Sequence, residues 1–301
     1  MAALRADRPL RLGATLALSM AGAEANVAIG LARLGHAVRW VGVNGDDELG
    51  RLVLRTLRAE GVDVSRVSVD AAPTGLVLFE PRVADLTRVS YYRAGSAGSR
   101  LTPGCLAGAL AEGARIVHLT GVTAALGPGP RAAVEAAAHA ARGAVCLDVN
   151  YRARLWSPQE ASAALRPLIP LVDILVASDD ELALVAPPGV EHEAECVEAL
   201  LAQGVGEVVV KRGAAGAEVF TGDGSFSRPA VRVPVRSTVG AGDAFVAGYL
   251  SGLLDGLPVA DRLGRAVTTG AFAVASAGDW EGLPSRDELT LLDAAPGSTL
   301  R

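Results

Sequence analysis

The chain has 301 residues, of which 50% are apolar and 20% charged, a composition ordinary for a folded globular chain and one that excludes bulk disorder. Its 28 basic and 33 acidic residues leave a net charge of −5, and aromatics make up only 4%. Neither a basic stripe nor a stacking platform for nucleic acid is therefore expected. Three widely spaced cysteines, Cys105, Cys146 and Cys196, show no disulfide or zinc spacing and read as small buried hydrophobes in a reducing compartment.

At the start, Arg5, Arg8 and Arg11 precede the apolar stretch Leu12 to Ala23, which ends in Ala-Gly-Ala and mimics a secretion signal. The Glu24-x-Asn26 that follows opens a helix over Ala25–Leu34, and a cut there would damage it. No run of about 18 apolar residues occurs, so no membrane-spanning helix is expected. Residues 2–22 read as extended segments with turns. From Val38 onward short β-rich runs alternate with amphipathic helices. Strands are expected at Val38–Val43, Ile116–Leu119, Ala144–Val149, Ile174–Ala177 and Val208–Lys211. Helices are expected at Leu49–Glu60, Arg131–Arg142, Gln159–Leu168, Ala194–Gln203, Ala241–Leu254 and Ala260–Ala277. Continuous apolar strands separated by helices predict an α/β fold, a doubly wound and mostly parallel sheet.

Residues 72–100 interrupt the alternation. Thr74–Glu80 and Thr87–Arg93 read as a strand pair across Pro81–Leu86. The expected organisation is thus a core of residues 23–71 and 101–301 with a small β-sheet lid made of residues 1–22 and 72–100. A later hairpin, Ala217–Phe220 with Phe226–Val233, belongs to the core, and the tail after Asp293 is expected to be loose.

The strongest chemical signal is Ser237-Thr238-Val239-Gly240-Ala241-Gly242-Asp243-Ala244-Phe245. Small residues before a helix let backbone N–H groups approach an anion, and the helix N-terminus adds positive potential. Asp243 would lie beside that anion hole as a base for an attacking hydroxyl, the combination phosphoryl transfer needs. Read alone, the same residues could be a capped helix after a glycine turn. The spacings G-x-x-x-x-G-K-S/T and G-x-G-x-x-G are both absent, which disfavours a Walker loop and a nicotinamide dehydrogenase. Of the 28 basic residues 27 are Arg, and the single Lys, Lys211, opens Lys211-Arg212-Gly213-Ala214-Ala215-Gly216 at the end of an apolar strand. Ligands sit at such strand ends, so Lys211 could meet a phosphate, although an ordinary turn reads equally well. Asn26, after Gly22-Ala23-Glu24, can present an amide to a polyol. Arg93, beside Tyr91 and Tyr92 on the lid, and Arg152, after Asp148-Val149-Asn150-Tyr151, could grip a carboxylate between them.

Together Gly22–Asn26, the Gly45-Asp46-Asp47-x-x-Gly50 turn and Val239–Phe245 resemble the ribokinase-like, phosphofructokinase-B type carbohydrate kinases over almost the whole chain. Tyr91–Ala97, Leu119-Thr120-Gly121 and Asp148–Trp156 are most similar to the 2-keto-3-deoxygluconate kinases among them. The resemblance implies ATP-dependent phosphorylation of a sugar-acid primary hydroxyl with Mg2+ on the phosphates. A neutral-ketose or nucleoside kinase, or a non-catalytic sugar-binding protein, remains the alternative. The resemblance further implies Asp243 as base within an anion hole of Gly240, Ala241 and Gly242. It implies Gly22, Asn26, Tyr92, Arg93, Arg152, Asp243 and Asp279 on the sugar, and Ser178, Lys211, Arg212, Gly213, Gly216, Gly240 and Gly242 on the nucleotide. A cytoplasmic homodimer or larger homo-oligomer is expected, with no membrane or nucleic-acid partner. The chain departs from the pattern at Ala21-Gly22, where Gly-Gly is usual, and at Val267, where an Asn often stands. The family also carries a first strand before a segment like Met1–Leu10, so a further core strand upstream of Met1 is expected.

Overall fold

The computed structural model describes residues 1–83 and 86–293. It begins with an antiparallel pair, β1 (Ala2–Ala6) and β2 (Leu16–Met20), so the signal-like stretch is built into a sheet. Helix α1 (Ala23–Arg33), β3 (Val43–Gly45), α2 (Glu48–Ala59) and β4 (Ser68–Asp70) follow. A second antiparallel pair, β5 (Leu76–Val83) and β6 (Leu86–Tyr92), joins the first through parallel β1 and β5. The result is the expected lid, a four-stranded sheet in the order β2-β1-β5-β6. Ala84 and Asp85, within the turn expected across Pro81–Leu86, lie outside the described residues, as does the tail from Ala294.

The core continues through α3 (Pro103–Glu112), β7 (Ile116–Thr120), α4 (Gly121–Ala124), α5 (Pro128–Ala140) and β8 (Ala144–Asp148). After these come α6 (Pro158–Leu165), β9 (Ile174–Ser178), α7 (Leu182–Val185), α8 (Glu193–Ala202) and β10 (Glu207–Lys211). The hairpin β11 (Ala217–Thr221) and β12 (Gly224–Arg228) precedes the long helices α9 (Ala241–Leu254) and α10 (Val259–Val274). The six strands run in the order β12-β11-β10-β9-β8-β7, with β7 to β10 mutually parallel and β11 and β12 antiparallel.

Side-chain alternation explains why these apolar runs are continuous. Val145, Leu147, Leu175, Val208 and Val210 face one layer, packing with Leu165, Leu182 and Leu200 from α6, α7 and α8. Their neighbours Cys146, Ile174, Val176 and Val209 face the other, against Val27 of α1 and Val246 and Leu250 of α9. Helix α9 is buried from Asp243 to Gly252, which is why its sequence is apolar on every side.

One expectation is corrected. Val38–Val43 is not a strand: pairing begins only at Val43, and residue 39 makes an isolated bridge to Asp63. A strand exists by pairing, and this segment has no ladder partner beside it. A cavity of about 770 Å³ instead separates Val38–Val43 from Ile116–Leu119 of β7. Helix α3 was not anticipated. It buries none of its residues and so carries no apolar stripe to read.

Candidate active site

The loop before α9 turns through Gly240 with φ of 77°, and a Cβ there would fall 1.9 Å from the carbonyl oxygen of Asp279. Only glycine fits that crossing. Beyond it, the N–H groups of Gly242 and Asp243 find no acceptor among the described residues. A buried 14-residue helix thus directs unpaired donors and its positive end at one spot, an arrangement suited to a phosphate.

Asp243 sits in the first turn of α9 and is 8% exposed. Its Oδ2 accepts from Nδ2 of Asn26, on α1, at 2.7 Å, and its Oδ1 from Nδ2 of Asn150 at 3.4 Å. Burial raises the Asp243 pKa, the Asn26 hydrogen bond opposes this, and Asp148 and Asp279 add repulsion, so the group is pushed up to about 7. A carboxyl tuned there can accept a proton near neutral pH.

Asn150 adopts φ of 41°, the only non-glycine residue with positive φ among those described, directly after β8. Its Nδ2 also reaches Oδ2 of Asp148 at 3.5 Å. Asp148, at the end of β8, receives Lys211 Nζ from the end of β10 at 2.8 and 3.1 Å. Burial works against the Lys211 charge, but Asp148 and Glu181 outweigh it and raise its pKa. Asp279 is held by Arg5 of the lid at 2.9 Å, and burial pushes its pKa up to about 6.

The structure therefore brings Asn26, Asp243, Asp148 and Lys211 into one connected group, with Asp279 beside Gly240. Gly22 caps α1 and lines the cavity with Glu24 and Arg93. Burial lowers the Arg93 pKa, and its guanidinium has no hydrogen bond or ion pair among the described residues. Arg152 donates only to the Tyr151 carbonyl, at 2.9 Å, yet lies close enough to Asp243 to oppose its shift. Tyr92 is 62% exposed and stays outside the group, as alternation along β6 sends it away from the face of its neighbours. On the side assigned to nucleotide, Ser178 ends β9 with its hydroxyl on Asp180 at 2.5 Å. The Arg212 guanidinium is tied to Glu193 at 2.6 and 2.7 Å and to Glu218 at 2.8 Å, so it serves the β10–β11 junction. Gly213 and Gly216 form the turn between those strands.

Sequence reasoning did not assign Arg5, Glu24, Asp148 or Asn150 to the site. Arg5 reaches Asp279 across 274 positions, a pairing that no local pattern announces. Glu24 accepts from the hydroxyls of Thr120 and Thr123 at 2.6 and 2.5 Å. The cue for Asp148 and Asn150 was their place at the end of an apolar parallel strand.

The family model for pfkB family carbohydrate kinases matches residues 3–286. A 2-dehydro-3-deoxygluconokinase from Thermoproteus tenax is 39% identical, the alignment covering 93% of this chain and 87% of the relative. A 2-dehydro-3-deoxygalactonokinase from Haloferax volcanii is 33% identical over 88% of this chain and 85% of the relative. Among solved structures, the PfkB protein from Polaromonas sp. JS666 superposes with a TM-score of 0.83 at 36% identity, covering 96% of each chain. No described helix is long and apolar enough to cross a membrane. The fold, the glycine-lined start of α9 and these likenesses agree: the chain belongs to the pfkB family of carbohydrate kinases.

Proposed function

We propose that the protein is an ATP-dependent kinase for an acid sugar, converting 2-keto-3-deoxygluconate to its 6-phosphate. The observation that carries the choice of an acid is the pair of guanidiniums near the site that make no ion pair with a carboxylate among the described residues, Arg93 from the lid and Arg152 from the core. Arg5, which also reaches the site from the lid, is taken by Asp279, whereas Arg93 lines the cavity beside Gly22 and Arg152 acts on Asp243 without such a partner. A substrate carboxylate would complete them bidentately. The likeness to the Thermoproteus and Haloferax kinases supports the same reading and admits either epimer.

In this reading Asp243 takes the proton from the primary hydroxyl as its oxygen attacks. The Gly242 and Asp243 amides, with the α9 dipole, receive the charge that develops on the transferred phosphoryl group. Mg2+ would arrive on the triphosphate and neutralise its oxygens. No group of three His, Cys, Asp or Glu side chains among the described residues is poised for a metal, so phosphate oxygens would supply most of its ligands. Gly213, Gly216 and Ser178 lie at the strand ends where the rest of the nucleotide would rest, and Asn26, Gly22, Tyr92 and Asp279 fall to the sugar side. Such chemistry belongs in the cytoplasm. The lid leaves Leu18, Val83 and Leu86 exposed, 52 to 70% of each, which suits pairing of two lids in a dimer.

The test is ADP release with 2-keto-3-deoxygluconate, its galactonate epimer, fructose, ribose and adenosine. The expected outcome is a preference of ~10² or more for the acid sugars in kcat/KM. Equal use of fructose or ribose removes the carboxylate assignment. A sugar-dependent rise in Tm with no ADP release makes the chain a binding protein.

A further inference from the structure

Two charged side chains and one amide meet behind the base, on elements far apart in the chain. Asp148 ends β8 and is 1% exposed. Lys211 ends β10, two strands away in the sheet. The two form an ion pair at 2.8 Å, and Nζ lies 3.8 Å from where a Cβ on Gly242 would stand. Asn150, held at φ of 41°, directs one amide group at both carboxylates, 3.5 Å from Asp148 and 3.4 Å from Asp243. A strained backbone persists where its surroundings demand it, and here it aims that amide.

The geometry points to Asp148 and Lys211 as one charge unit that sets the field on the Asp243 carboxyl, with Asn150 as the amide that fixes the two acids relative to each other. These are positioning residues, for they act through Asp243. The inference rests on Asp243 being the base in the reading above. It changes the part given to Lys211, the only lysine of the chain. The ammonium is committed to Asp148 and from there offers its outer side to the Gly242 turn.

The physical argument is a sum of charges. A bare Asp148 carboxylate beside Asp243 would repel its ionised form. A bare Lys211 ammonium would attract it. Paired, they offset one another, and Asp243 feels only the part of the Asp148 repulsion that Lys211 does not cancel. The other groups facing this cluster are fixed by different partners. Asp279 is held by Arg5, Glu181 accepts from the Tyr151 and Ser178 amides, and Arg152 donates to a carbonyl. His118 on β7, whose ring nitrogens are buried without a partner, is kept neutral by burial. None of these would compensate the loss of one member of the pair.

The two single variants should therefore move the base in opposite directions. In the 301-residue chain at saturating ATP, Lys211→Met is expected to shift the acid limb of the kcat/KM profile up by about one pH unit. Asp148→Asn is expected to shift it down by about one unit. The double variant should return to within a few tenths of the original, a cancellation that a merely structural pair would not give. The same order is expected in the 13C titration of the Asp243 carboxyl, assigned with Asp243→Asn. Shifts of one sign in both single variants, or none in either, overturn the inference. Lys211→Met leaves a buried carboxylate unpaired and is the variant most exposed to misfolding. If it fails to fold, Asp148→Asn and the double variant still differ only at position 211, and coincident titrations in those two overturn the inference as well. If the unmodified protein releases no ADP with any sugar, the kinase reading falls, while the carboxyl titrations still decide the charge unit.

Discussion

Asn26 donates its amide N–H to Oδ2 of Asp243 across 2.7 Å, joining α1 to α9 over 217 positions of sequence. That bond favours the ionised carboxylate and opposes the desolvation that raises its pKa. Asn26→Ala should move the acid limb of kcat/KM to higher pH by roughly one unit and lower kcat by ~10-fold, because the base is both less ionised and less well aimed. A pH profile with an unmoved limb would show that the bond only packs α1 against α9.

Asp243→Asn separates chemistry from stability. Turnover should fall by ~10²-fold or more, since no other group replaces the base. Stability should change in the opposite sense. The carboxyl has a folded pKa of about 7 against an ordinary 3.8, so protonation favours the folded state. That contribution is complete below pH 3.8 and is lost as pH rises through about 7. At pH 8 the buried carboxylate costs on the order of 2 to 4 kcal/mol, which the amide avoids. The variant should therefore melt above the unmodified protein at pH 8 and close to it at pH 4. Thermal scans at the two pH values check this, and a lower Tm at pH 8 would contradict it.

Most of the architecture could be read from the sequence for one reason. Strands β7 to β10 carry mostly apolar runs because helices cover the sheet on both faces, and polar residues and turns mark their ends. The turn that opens α9 was legible too, since its glycines announce a close backbone approach before a helix, and Gly240 makes that crossing against Asp279. What escaped reading was long-range or unsupported by a pattern. Arg5 meets Asp279 only after the lid folds over the core. Asn150 shows its importance in a backbone angle that its sequence context does not encode. Val38–Val43 carries a strand composition without a partner, and β structure needs the partner more than the composition. Arg212, which the resemblance places on the nucleotide, is paired here with glutamates from α8 and β11, partners that its own segment does not announce.

Arg152→Lys tests recognition of the acid. The guanidinium has one carbonyl contact and no carboxylate, so its fork is open to a substrate. Lysine keeps the charge and loses the bidentate geometry. KM for 2-keto-3-deoxygluconate should rise by ~10-fold or more with kcat changed less, and the preference for acid over neutral sugars should narrow. If the variant discriminates as before, Arg93 alone would have to hold the carboxylate.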